Sequence, residues 1–203
     1  MFDARLRPLI DPPLNAMAHS LARRGVGADG LTVAGFVCGL AAAGLIAVGA
    51  FLPAAGLVAL NRLLDGLDGA VARVRGASDR GGFLDISLDF AFYGLVPLAF
   101  AVADPQANAL AAATVLAAFY VNGATFLAFA AVAEKRMMTT TAQGMKSIYY
   151  LAGIAEGGET VAVFLAWCLF PGWFAPLAYA FAAVTGVSAA ARIVIGARRL
   201  GPE

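Results

Sequence analysis

From Leu31 onward, long apolar stretches alternate with brief polar interruptions, at the spacing of membrane crossings. Six apolar spans can be drawn, at residues 30–51, 54–73, 82–103, 107–133, 147–170 and 173–197. Each is close to the roughly 20 residues that cross a hydrocarbon core roughly 30 Å thick. Pro53, Asp104 with Pro105, and Pro171 with Gly172 mark three tight turns between adjacent helices, and no lysine or arginine falls in them. The basic residues gather elsewhere: Arg73, Arg75 and Arg80 after the second span, Lys135, Arg136 and Lys146 after the fourth, and Arg192, Arg198 and Arg199 near the end. With Arg5, Arg7, Arg23 and Arg24 at the start, this alternation places both termini on the cytoplasmic side under the positive-inside rule.

Residues 1–28 are too polar for the hydrocarbon core. Phe2, Leu6, Leu9, Leu14, Met17 and Leu21 nevertheless recur near helical spacing beside the arginines, which predicts an amphipathic helix lying in the interface, unless Pro12 and Pro13 leave it a loose tail. Asp3 and Asp11 interrupt the basic residues here, and the first long apolar run starts only near Leu31, so a cleaved signal sequence is not expected. The expectation is an all-α integral membrane protein: an N-terminal segment, 1–28, followed by a membrane domain of six transmembrane helices, 29–203.

Composition agrees, with 61% hydrophobic and 13% charged residues in a 203-residue chain. A formal net charge of +1 implies no nucleic-acid partner. Cys38 and Cys168 lie far apart in apolar runs, without metal-ligand spacing, and read as packing residues. His19, the single histidine, reads as a surface residue.

Against this background one segment stands out. Asp65, Asp68, Asp79, Asp85 and Asp89 make up five of the 13 acidic residues within 25 positions. Asp65 and Asp68 share a face at the end of the second span, and Asp85 and Asp89 share one at the start of the third, so two carboxylate pairs can meet across one connection. Carboxylates at membrane depth need compensation. Arg62, Arg73, Arg75 and Arg80 can supply part of it through salt bridges, but four carboxylates without histidine or cysteine also form an oxygen shell suited to magnesium, manganese or calcium and poorly to zinc. Gly66, Gly69 and Gly81 leave room for a flat ring or a diphosphate to approach the backbone, or for helices to pack. Arg73, one turn beyond Gly69, sits where a phosphate clamp would. A cation transporter is the competing class, although its acidic residues would be expected near midmembrane on broken helices.

The series D-x-x-D-G-x-x-A-R, a spacer, then G-x-x-x-D-x-x-x-D resembles the signature of the CDP-alcohol phosphotransferases, and Asp65, Asp68, Gly69, Ala72, Arg73, Gly81, Asp85 and Asp89 match every fixed position. The stretch from Gly25 to Thr32 is similar to the family's approach to its first membrane helix, with Ala28 and Asp29 where Pro-Asn is usual. The resemblance implies that an alcohol attacks the lipid-bearing phosphorus of a CDP-linked donor, such as CDP-diacylglycerol, and that CMP leaves. It implies Mg2+ or Mn2+ held by Asp65, Asp68 and Asp85, with Asp89 as base toward the acceptor hydroxyl and a further metal contact. CDP would lie against Asp65, Gly66, Gly69, Arg73, Ser78 and Gly81. A homodimer in the bacterial cytoplasmic membrane is implied as well.

The acceptor is read from Glu156 and Glu159, three apart in an apolar span, with Lys135 and Lys146 nearby. This stretch resembles the place where phosphatidylinositol-phosphate synthases set arginines beside glutamates, but the arginines are absent here. Glutamates facing an acceptor cavity would repel a phosphate monoester, so an acceptor without a phosphate is expected. They can equally pair with Lys135, Arg136, Lys146 or Arg192. Glycerol 3-phosphate, inositol phosphate, or a CDP-amino-alcohol donor acting on diacylglycerol are the alternatives.

Overall fold

The computed structural model describes residues 2–136 and 157–201, with side chains from residue 11 onward. These residues form seven α-helices: α1 Phe2–Arg23, α2 Ala28–Ala47, α3 Phe51–Arg75, α4 Asp79–Ala103, α5 Pro105–Lys135, α6 Gly157–Leu169 and α7 Phe174–Arg199. The chain is an all-α integral membrane protein. Helices α2, α4 and α5 and the stretch Pro171–Arg199 are each long and apolar enough to cross a membrane. Helix α3 has 25 residues, about 37 Å at ~1.5 Å per residue, but its second half carries Arg62, Asp65, Asp68, Arg73 and Arg75. Helix α6 is described over 13 residues, and the start of the expected fifth span, 147–170, lies outside the described residues.

The turns follow local chemistry. Asp104 accepts a hydrogen bond from the Ala107 backbone N–H at 3.0 Å and Pro105 opens α5, satisfying a helix start that would otherwise leave bare donors. Pro171–Trp173 form a single 3₁₀ turn before α7. The first turn differs from expectation: Pro53 lies inside the first turn of α3, where a missing N–H costs nothing, and the reversal comes earlier, at Gly49 with φ of 80°.

Helix α2 packs broadly on both α3 and α4, α5 packs on α4 and α7, and α6 packs on α3. Close approach depends on glycine at two crossings. A side chain at Gly39 would run into the Phe92 ring at 2.6 Å, and one at Gly123 would collide with Phe90. The largest fully buried side chains of the core are aromatic. Phe100 stacks on Phe174 at 4.5 Å and on Phe51 at 5.5 Å, while Trp167 meets Phe100, Phe164 and Phe174 edge-on or tilted. Cys168 is buried in this cluster, a packing position, whereas Cys38 is half-buried. Large apolar residues such as Leu52, Leu110, Val187 and Ile193 stay exposed, as expected of helices facing lipid.

Helix α1 runs through Pro12 and Pro13 without a break. Its Leu14, Ala18 and Leu21 lie one helical stripe apart and pack beside Leu64, Leu67 and Val71 of α3. The amphipathic segment is thus fastened to the bundle by its apolar stripe. His19 is exposed and bonded to the Asn15 carbonyl at 2.7 Å.

Candidate active site

The site begins with a gap between helices. Helix α2 packs on both α3 and α4, while among the described residues α3 and α4 do not pack broadly on each other. A cleft of about 220 Å³, counting its open mouth, therefore remains, walled by Thr32, Gly35 and Phe36 of α2, Asn61, Arg62, Asp65 and Asp68 of α3, and Asp85, Leu88 and Asp89 of α4. The connection from Gly76 to Ser78 reverses the chain so that the carboxylates of α3 and α4 face each other. Gly76 takes φ of 101°, and Ser78 caps α4 by accepting from the Gly81 N–H at 3.0 Å.

One carboxylate oxygen each from Asp65, Asp68 and Asp85 lies within 4.8 Å of the others. Three hard anionic ligands at this separation suit a magnesium or manganese ion, which completes its shell with water or substrate oxygens. Asp68 is buried and its Oδ2 accepts a hydrogen bond from Thr32 Oγ1 at 2.6 Å, short as befits a charged acceptor, which fixes the carboxylate's direction. Asp89 lines the same cleft but is outside this trio. Its Oδ1 accepts from Arg62 Nη2 at 2.7 Å. Arg62 also lies 3.6 Å from Asp65 Oδ2 and donates to Asn61 Oδ1 at 2.6 Å, and Asn61 in turn anchors to the Gly35 carbonyl at 2.8 Å.

The remaining predicted residues occupy the rim and its surroundings. Arg73 is exposed and its guanidinium lies over Gly69, 3.6 Å from where a Cβ would stand. Gly81 sits between Asp29 and Ser78, each 3.2 Å from its absent Cβ. Gly66 differs: its bare face receives Leu14 of α1, at 3.2 Å, so here the missing side chain serves helix packing. Arg75 and Arg80, expected as counter-ions to the site carboxylates, serve the α1–α2 turn and the first turn of α2 instead. Arg75 Nη1 donates to the Gly25 and Val26 carbonyls at 2.9 and 2.7 Å, and Arg80 reaches Asp29 at 3.4 Å. Lys135 is exposed at the end of α5, Glu159 is half-buried in the first turn of α6, and Lys146 and Glu156 lie outside the described residues. The start of α6 adjoins the cleft through Tyr93, whose hydroxyl is 3.6 Å from a Cβ built on Gly157 and 3.3 Å from Arg62 Nη1.

Arg62, expected as a counter-ion, is one, to Asp65 and Asp89; Thr32, Asn61 and Tyr93 are not in the predicted site. The available signal was the pair Asn61-Arg62 inside an otherwise apolar run, with Arg62 three residues before Asp65 and hence on its face.

Comparison with known proteins places this geometry in context. Residues 26–190 match the sequence model described as CDP-alcohol phosphatidyltransferase. The chain is 47% identical over 196 residues to the inner membrane protein YnjF of Escherichia coli, covering 97% of this chain and 95% of that one. It is 36% identical over 87 residues to the archaetidylinositol phosphate synthase of Pyrococcus horikoshii, covering 42% and 46% of the two chains. Its fold is similar to that of Mycobacterium tuberculosis phosphatidylinositol phosphate synthase with CDP-DAG bound, with a TM-score of 0.71 at 22% identity over 91% of this chain and 93% of that one. A second crystal structure of the same synthase contains manganese and citrate.

Proposed function

The chain belongs to the CDP-alcohol phosphatidyltransferase family, over residues 26–190, and from that premise we propose that it transfers a phosphatidyl group from CDP-diacylglycerol to a hydroxyl acceptor with release of CMP. The observation that carries this reading is the approach of Asp65, Asp68 and Asp85 within 4.8 Å in the cleft that also holds Asp89. Asp65, Asp68 and Asp85 would hold a divalent cation, Mg2+ or Mn2+, which when bound would neutralise charge on the diphosphate.

The chain's own residues do the rest. Arg73 and the backbone at Gly69 receive the diphosphate at the rim, with Ser78 and Gly81 beside the nucleotide. Thr32 keeps the Asp68 carboxylate aimed into the cleft. Asp89 accepts the acceptor's hydroxyl proton as the new oxygen–phosphorus bond forms, while the bond to the bridging diphosphate oxygen breaks and CMP leaves with that electron pair. A carboxylate is too weak a base to ionise an alcohol beforehand, so proton transfer accompanies attack. The protein acts in the bacterial cytoplasmic membrane, with both termini cytoplasmic, as a homodimer.

The acceptor carries no phosphate on this reading, which rests on Glu159 at the half-buried start of α6. One observation favours a phosphorylated acceptor instead. Arg192 of α7 is only 7% exposed, and its Nε has no hydrogen-bond partner among the described residues. It donates to Asn122 at 3.1 Å, beside the Gly123 that seats Phe90, the residue after Asp89. A competition assay with the purified protein, CDP-diacylglycerol and serine, choline, ethanolamine, inositol, glycerol 3-phosphate or inositol phosphate separates the two, read by CMP release and lipid product. Preference for an unphosphorylated alcohol is expected; preference for either phosphate ester overturns the glutamate reading.

A further inference from the structure

The walls of the cleft continue outward past its carboxylates. On α2 the wall is built by Thr32, Gly35 and Phe36, and Asp29, three residues before Thr32 and seven before Phe36, extends it by one turn on the same face. On α4, Gly81 stands one turn outside Asp85; on α3, Gly69 stands one turn outside Asp65, with the Arg73 guanidinium over it. These positions gather at one end of the bundle, at the start of α2, the end of α3 and the start of α4. A lipid-linked diphosphate held at the carboxylates and Arg73 leaves its acyl chains to the bilayer. Its polar nucleoside then belongs at this outer, wetter level.

Two side chains converge there on one point. Asp29 Oδ1 and Ser78 Oγ are each 3.2 Å from the position that a Cβ would take on Gly81. Their hydrogen-bonding roles are opposite. Ser78 Oγ accepts from the Gly81 N–H at 3.0 Å, so its own proton is available to donate. The Asp29 carboxylate only accepts: its Oδ2 faces Arg80 Nε at 3.4 Å, and Oδ1 is the oxygen turned to Gly81. An acceptor and a donor thus flank a bare backbone on which a flat ring can lie.

Cytosine suits that pair, because its 4-amino group donates while its neighbouring ring positions accept; uracil carries an accepting oxygen at position 4 instead. We propose that Asp29 selects the base of the donor: Oδ1 accepts from the 4-amino group of a cytosine nucleotide and repels the O4 of a uracil nucleotide. This rests on the CDP-linked donor proposed above. Position 29 is also where the chain has a carboxylate in place of the asparagine usual in the resembling motif. An amide can turn its oxygen to an amine or its NH2 to a carbonyl and so accommodates both bases, whereas a carboxylate accommodates one. Selection is sharper in this chain than an amide would make it.

CDP and UDP, without lipid, test this on the full chain purified in detergent with Mn2+ present, by isothermal titration calorimetry. Wild type should bind CDP about tenfold or more tightly than UDP, the usual worth of one discriminating contact to a base edge. Asp29→Asn should bind CDP more weakly and UDP more tightly, bringing the two within about threefold. A wild-type chain that binds both nucleotides alike overturns the proposal. An Asp29→Asn protein with the wild-type ratio, or with both affinities lowered equally, overturns it as well. Binding of neither nucleotide by wild type would sink the nucleotide reading of the cleft, and the proposal with it. The wild-type ratio decides against the proposal on its own, so the test survives a variant that fails to fold.

Discussion

Helix α4 carries two unlike surfaces a turn apart. At Asp85 and Asp89 it faces charge, hydrogen-bond donors and an open gap; from Phe92 to Phe100 it faces Phe164, Trp167 and Phe174 in a closed aromatic core. In a bilayer the two are held by different means. Apolar helices gain little by hiding from lipid, so the aromatic end is secured by close packing. The acidic end is kept by compensation, with Arg62 for Asp89 and the Thr32 hydroxyl for Asp68. Arg62 joins them, since its guanidinium touches carboxylates at its edge and Phe92 and Tyr93 at its face. The division suggests that chemistry and stability can be damaged separately.

The largest separation is expected within the acidic end. Asp89→Asn should lower turnover by about 10²–10⁴-fold, the usual worth of a positioned base, while CDP-diacylglycerol binding stays close to wild type. Asp65→Asn or Asp68→Asn should weaken metal and nucleotide binding together. Parallel binding and turnover measurements check the order, and the reverse pattern would mean that the roles are exchanged.

The smaller effect lies at the aromatic end. Phe100→Ala leaves a void of about 100 Å³, and at ~24 cal/mol per Å³ the cavity alone costs about 2 kcal/mol. Thermal unfolding in detergent should move accordingly, with CMP release per folded molecule changed less than about threefold. A Phe100→Ala protein that is stable but inactive would erase the distinction between the two surfaces.

How much of this could be read in the sequence differs between the same two regions. The carboxylates were legible because charge in an apolar run is conspicuous and because spacings of three and four fix a helix face. Their compensation was less so. Arg62 could be expected as a counter-ion from its place three residues before Asp65, but its reach to Asp89 and that of Thr32 to Asp68 cross between helices, and a neighbour 36 positions away leaves no local pattern. Gly66 shows the converse, a motif glycine whose open face is filled by Leu14 of a helix that the motif does not include. At the other end, apolar periodicity located the helices but could not say which rings stack, since Phe51, Phe100 and Phe174 meet from three separate elements. The first turn was misplaced for a related reason: Pro53 is as comfortable in the first turn of a helix as between two helices, and Gly49 supplied the actual reversal.

The most direct test of the account is CMP release from CDP-diacylglycerol by the purified chain, with the accepted alcohol present, before and after exhaustive chelation. Activity should vanish with the chelator and return on adding Mg2+ or Mn2+, because the three converging carboxylates are hard oxygen ligands with no soft ligand beside them. Undiminished CMP release in a fully chelated sample would contradict it.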